Sequence, residues 1–144
     1  MTESIDFDAM NRTVIHEFRE TGGKASGVFT GKPLVLVHHI GAKSGVERIA
    51  PLVPLLDGDR IYIFASKGGA DTNPDWYRNL VANPAVVVEL GTEKFAATAR
   101  VLTGSERDEI YAKQCEKEPQ FADYQRKTER VIPVIEMARD RSDA

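Results

Sequence analysis

Two short segments of this chain set cations beside glycines. The first reads Gly41-Ala42-Lys43-Ser44-Gly45-Val46-Glu47-Arg48-Ile49-Ala50-Pro51. A glycine-flanked Lys-Ser tip offers backbone N–H groups, a hydroxyl and an ammonium to an anion. Arg48 adds a planar fork suited to phosphate or carboxylate. The G-x-x-x-x-G-K-[ST] spacing of a Walker loop is absent. The second segment reads Ala65-Ser66-Lys67-Gly68-Gly69-Ala70, followed by Asn73-Pro74-Asp75-Trp76-Tyr77-Arg78-Asn79-Leu80. Two glycines behind Lys67 let the backbone approach a ligand closely. Taken singly, each has a plainer reading: a solvated hairpin tip, and a strand-to-helix connection with Trp76 as a core anchor. Taken together, at the ends of consecutive strands, they predict that Lys43, Arg48 and Lys67 converge on one anionic ligand.

The remaining polar residues suggest no metal and no nucleophile. His38 and His39 are adjacent on a strand, so they face opposite sides and cannot share a metal. His16 lies on an amphipathic helix, where packing or exposure is its ordinary role. Cys115 is the sole cysteine, which excludes an intramolecular disulfide, and it has no basic motif nearby to activate it. The acidic groups at 106–109 and 116–118 read as solvated helix faces.

Charge and length set the frame. With 19 Lys and Arg against 22 Asp and Glu, the formal net charge is −3, so no surplus of cations exists for non-specific nucleic-acid binding. Positive charge must therefore be concentrated locally. At 144 residues the expectation is a single domain, 1–144. No run of about eighteen apolar residues is present to span a membrane. The first residues, Met1 to Asp6, are acidic and lack the basic and apolar regions of a secretion signal. A cytoplasmic setting follows as the expectation.

The elements that would position the cationic segments are legible from periodicity. Phe7, Met10, Val14 and Phe18 recur at helical steps and predict an amphipathic helix over about 5–20, stopped at Gly22-Gly23. The polar stretch through Gly31 reads as a loop. Leu34–Ile40, 46–56 and Ile61–Phe64 read as strands joined by tight turns, the third covered on both faces. Pro51 and Pro54 each remove a ladder donor, so the second strand must be an edge or carry a bulge. Asn73 as N-cap with Pro74 in the first turn predicts a helix over Asp75–Ala82, ended by Asn83-Pro84. Ala85–Leu90 and Phe95–Leu102 read as further strands, helices begin near Ser105 and Phe121, and Val131–Met137 reads as a last strand. The sum is about six strands and three or four helices. It describes an α+β fold, a mainly antiparallel barrel or coiled sheet with peripheral helices.

Three ordered strings now make a resemblance specific: G-A-K-S-G-x-x-R-x-x-P, then A-S-K-G-G-A-x-x-N-P-x-W-Y-x-N-L-x-A-N-P, then K-T-x-R-x-I-P-V near the C-terminal end. Together they resemble the deazaflavin-dependent nitroreductase family, small split β-barrel proteins of FMN-binding-like fold that use coenzyme F-420, an 8-hydroxy-5-deazaflavin. The similarity covers about Leu34 to Met137. It implies that Lys43, Ser44, Gly45 and Arg48 hold the phosphate and glutamyl tail of the coenzyme, and that Pro51 and Leu52 lie beside its ring. It implies that Ser66, Lys67, Gly68 and Gly69 form a second phosphate-side loop, and that Trp76 and Asn79 close the pocket. Tyr124 falls where the family supplies tyrosines to the electron-acceptor site, although Phe121 stands nearby where a hydroxyl would be useful.

The activity this implies is transfer of hydride from reduced coenzyme F-420 to a small-molecule acceptor: a quinone, an activated enone or a nitro compound. Such a donor leaves the protein to orient the ring, exclude water and deliver a proton. Ser66, Tyr124 or water are the candidate proton sources. Two other readings stay open at this point: an FMN-dependent oxidoreductase of the related split-barrel class, and a carrier that binds the deazaflavin without turning it over. A monomer is expected, with a dimer as the alternative.

Overall fold

The computed structural model describes residues 7–24 and 31–140. The acidic first residues, the start of the expected N-terminal helix, and the loop over 25–30 lie outside the described residues, as do the side chains of Phe7 and Met10.

Helix α1 (Phe7–Glu20) docks through the predicted positions Val14 and Phe18, both buried against Leu34 and Leu36. Beyond it Gly23, at φ +108°, presses on the next hairpin so closely that a Cβ would lie 2.4 Å from the Gly91 Cα. Only glycine fits there.

Seven strands follow: β1 (Val35–Ile40), β2 (Glu47–Leu52), β3 (Leu55–Asp57), β4 (Arg60–Phe64), β5 (Ala85–Leu90), β6 (Glu93–Val101) and β7 (Val134–Arg139). They form one sheet in the order β2-β1-β5-β6-β7-β4-β3, every pair antiparallel. The expected single strand over 46–56 is in fact two. It breaks at Val53-Pro54, where the missing proline N–H ends pairing, and its halves become the two opposite edges of the sheet. The expected hairpin around Asp57-Gly58-Asp59 forms between β3 and β4, but the half that pairs with β1 lies at the far edge of the sheet from β4. Likewise Pro133 delays the last strand to Val134, three residues later than its apolar run suggests.

The sheet curls into a half-barrel. Leu52 on one edge and Leu56 on the other pack against the same interior cluster, which holds Val35, Val37, Ile61, Ile63, Val88, Ile135 and Met137. Helix α2 (Asp75–Ala82) adds fully buried Leu80 to that interior. On the outer face, Tyr62 and Phe64 of β4 join Tyr111 of α3 (Gly104–Lys117) and Phe121 of α4 (Gln120–Arg126) in a second cluster. Strand β4 is thus covered on both sides, as its unbroken apolar run predicts. Helix α2 starts one residue later than a cap at Asn73 implies. Pro74 takes the cap position, and the Asn73 Oδ1 instead accepts from Arg130 at 2.9 Å.

Candidate active site

Two cavities open side by side, sharing Trp76 and Asn11 as a common wall. The first, about 900 Å³, is polar and cationic. The β1–β2 turn supplies Lys43 and Ser44, β2 supplies Arg48, and α2 supplies Asn79, Arg78 and Asp75. Arg78 is paired with Asp75 one turn away, but among the described residues Lys43 and Arg48 have no carboxylate partner. Two uncompensated cations in one concave site attract an anion. Gly45 does not line the cavity. Its N–H donates to the Gly41 carbonyl at 2.9 Å, and at φ +70° it closes the turn that presents Lys43.

One end of this lobe is set by a hydrogen-bonded relay. The Ala42 N–H donates to Asn79 Oδ1 at 2.9 Å, and Asn79 Nδ2 lies 3.0 Å from His39 Nδ1. His39 is 5% exposed, stands opposite Arg48 in the β1–β2 register, and lines the cavity. Burial and then the Arg48 charge push its pKa below the ordinary imidazole value, which keeps the ring neutral. Sequence periodicity places His39 on the inward face with Val35 and Val37 but does not mark it as a site residue.

The second cavity, about 560 Å³, is mainly apolar. Pro51 and Leu52 from β2, Val53 just beyond it, Phe64, Trp76, and Phe121 and Tyr124 from α4 form its walls, and Ser66, Lys67 and Gly68 form one edge. The family-derived residues therefore fall into both lobes, with Lys67 in the second and its ammonium donating to Thr72 Oγ1 at 3.2 Å. Among the described residues Tyr124 Oη has no hydrogen-bond partner, and its ring meets Phe121 edge-on at 5.2 Å.

The 66–69 turn is strained and stapled. Ser66 is right-handed, then Lys67, Gly68 and Gly69 all take positive φ, at +46°, +65° and +87°. A left-handed lysine costs about 1–2 kcal/mol and persists only where its surroundings enforce it. A right-handed residue followed by a left-handed one also forms a backbone nest, a concavity of N–H groups suited to an anion. Arg130 supplies the enforcement. Its guanidinium donates to the carbonyls of Ala65, Ser66 and Ala70 at 3.2, 2.9 and 2.7 Å, as well as to Asn73. Gly69 lines neither lobe, but it lets the turn press on α4: a Cβ there would lie 2.8 Å from the Tyr124 carbonyl oxygen. Arg130 stands in the K-T-x-R-x-I-P-V string, and only the fold reveals what it holds.

At the rim of the second lobe, Glu118 binds the Lys32 ammonium and accepts from Gln120 Nε2, which together hold its pKa below the usual carboxylate range. It is thus a partly buried rim residue rather than a solvated helix face. Cys115 is free and partly buried, and burial pushes its thiol pKa upward.

A half-barrel with a cationic lobe joined to an apolar one has room for a ligand that combines a flat ring with an anionic tail. Comparison with known proteins gives the particular family: a profile described as F420H(2)-dependent quinone reductase matches residues 10–138, and the chain belongs to that family. An F420H(2)-dependent quinone reductase of Mycobacterium tuberculosis is 36% identical over 126 residues, 85% of each chain. A solved structure titled as an F420-H2 dependent reductase shares 42% identity and a TM-score of 0.68, covering 73% of this chain and 93% of its own. Another, titled a domain-swapped dimer, shares 36% identity and a TM-score of 0.69 over 92% of this chain and 99% of its own. The protein is accordingly a deazaflavin-dependent reductase of split-barrel type with coenzyme F-420 as its cofactor; nothing supports the FMN alternative. No helix among the described residues is long and apolar enough to cross a membrane.

Proposed function

We propose that this protein reduces quinones, and with them activated enones or nitro compounds, using coenzyme F-420 bound across both lobes. The observation that carries the reading is the junction at Trp76 of a lobe holding two cations without a carboxylate partner among the described residues and a lobe with apolar walls. Lys43, Ser44 and Arg48 hold the phosphate and glutamyl tail. Pro51 and Leu52 lie along the ring, which Trp76 confines, and Asn79 fixes the β1–β2 turn through Ala42. Ser66, Lys67 and Gly68 meet the ligand between ring and tail, on a turn that Gly69 shapes from behind.

The chemistry the bound coenzyme brings is hydride donation. The chain's own tasks are then to orient, to exclude water and to supply a proton. Phe64, Phe121 and Val53 keep water from the second lobe. Tyr124 Oη or Ser66 Oγ holds the proton that the reduced acceptor takes up. We read the protein as a single cytoplasmic domain acting as a monomer; a dimer is the alternative, and sedimentation separates the two. The decisive experiment follows fluorescence of the coenzyme on titration, then its reoxidation from the reduced form by a menadione-type quinone. Saturable binding with quinone-dependent turnover is expected. Binding without turnover across a panel of acceptors would make the protein a carrier instead.

A further inference from the structure

The amide of Asn79 settles the protonation of His39. A backbone N–H can only donate, so the Ala42 N–H, 2.9 Å away, fixes which end of the Asn79 amide is oxygen. The other end, the NH₂ group, must then donate to His39 Nδ1 at 3.0 Å. A neutral imidazole that accepts at Nδ1 carries its proton at Nε2. Among the described residues that Nε2 has no protein partner, and it is not sealed from solvent. It belongs to a residue that lines the cationic lobe and stands across from Arg48. The residue that carries this fixed N–H donor thus lines the same cavity as two cations without a carboxylate partner among the described residues, and it lies deeper in the fold than either.

We infer that His39 is a ligand-contacting residue, its Nε2–H donating to an oxyanion of the coenzyme tail alongside Lys43 and Arg48. The inference rests on the reading of the first lobe given above, and extends it to a residue that no cationic motif marks. The tail carries oxyanions of two kinds, phosphodiester and glutamyl carboxylate, and both accept such a bond.

Three ligands test it: the deazaflavin riboside without phosphate, the phosphodiester form without glutamyl residues, and the complete coenzyme. His39→Phe is expected to weaken the tail-bearing ligand about tenfold and to leave the riboside unchanged. A loss already present with the phosphodiester form assigns the contact to phosphate, and a loss only with the complete coenzyme assigns it to carboxylate. Equal affinities throughout, or an equal loss that includes the riboside, would overturn the inference. Nitrogen NMR of the wild-type ring gives a second measurement that needs no variant. It should show the Nε2-protonated neutral tautomer, with a resonance that moves on saturation with the complete coenzyme; an unmoved resonance refutes the contact. Wild-type protein that binds none of the three ligands would instead remove the underlying coenzyme reading.

Discussion

The two lobes that meet at Trp76 are built in opposite ways. The cationic lobe is largely one turn and its flanks, with Lys43, Ser44 and Arg48 exposed and its shape set by short-range bonds such as Gly45 N–H to Gly41. The apolar lobe is gathered from β2, the 66–69 turn and α4, and Arg130 ties that turn to the chain ahead of β7. A lobe made from one turn carries its chemistry in side chains that bear little of the fold. A lobe made from distant segments depends on its staple, so damage there is a folding defect before it is a binding defect.

The largest effect should come from the staple itself. Arg130→Ala leaves several carbonyls without their charged donor and releases a strained turn, a loss of about 4 kcal/mol. For a chain of this size that lowers Tm by roughly 15 °C. Arg130→Lys keeps the charge but not the fork and should recover only part of it. A thermal melt of the Ala variant within a few degrees of wild type would show that the 66–69 turn holds its shape unaided.

Acid should strike both lobes alike, because α1, which lends Asn11 to each, is clamped from outside. Arg19 grips the Glu89 carboxylate through Nε and Nη2 at 3.1 and 2.7 Å, and His38 adds a contact at 2.6 Å. The Arg19 hydrogen bond, opposed by burial and aided by His38, holds the Glu89 pKa down at about 2. A carboxylate depressed in the folded state stabilises above its unfolded pKa and loses that contribution as pH falls toward the folded value. The clamp is thus complete near neutrality and weakens from about pH 5 downward, by about 2 kcal/mol at pH 3. Urea midpoints of wild type and Arg19→Ala should differ clearly at pH 7, and the gap should narrow to about half by pH 3, closing only as pH approaches the folded value. A gap that stays constant with pH would detach Glu89 from the clamp.

Two glycines give a sharper contrast between the lobes. Gly69 and Gly45 both have positive φ, but a Cβ at Gly69 meets the Tyr124 backbone while one at Gly45 meets nothing within 4 Å. Gly69→Ala should cost about 2 kcal/mol or more, from strain and overlap together. Gly45→Ala should cost about 1 kcal/mol, from strain alone. Equal costs in chemical denaturation would mean that α4 yields to the turn.

This division also explains what the sequence discloses. Periodicity finds nearly every element, and Asp75–Ala82 and Ala85–Leu90 have the expected bounds although Asn73 does not cap the helix. It fails where pairing is non-local. Nothing in 46–56 says that its two halves become opposite edges, because strand order is decided by partners far along the chain. The glycine-flanked Lys43 and Lys67 segments are readable because each is a local pattern with its own chemistry. His39, Arg130 and Glu118 escape notice because each acts through a partner 12 or more residues away, namely Asn79, the 65–73 turn and Lys32.

The smallest expected effect on the fold tests the cationic lobe by itself. Lys43 and Arg48 have no carboxylate to lose among the described residues, so Lys43→Ala and Arg48→Ala should leave Tm within a degree or two. Their cost should appear only with ligand present, as one charge-assisted contact of about 1.5 kcal/mol or more, near a tenfold weakening. Because both side chains are exposed, that loss should shrink as salt is raised from about 0.05 to 0.5 M, where the screening length falls well below 10 Å. The apolar lobe predicts the reverse: affinity for the tail-free riboside should be indifferent to salt and to both substitutions. If Lys43→Ala weakened riboside and complete coenzyme equally, charge would not be dividing the ligand between the lobes, and the contrast drawn at Trp76 would describe the walls of the site without describing how it binds.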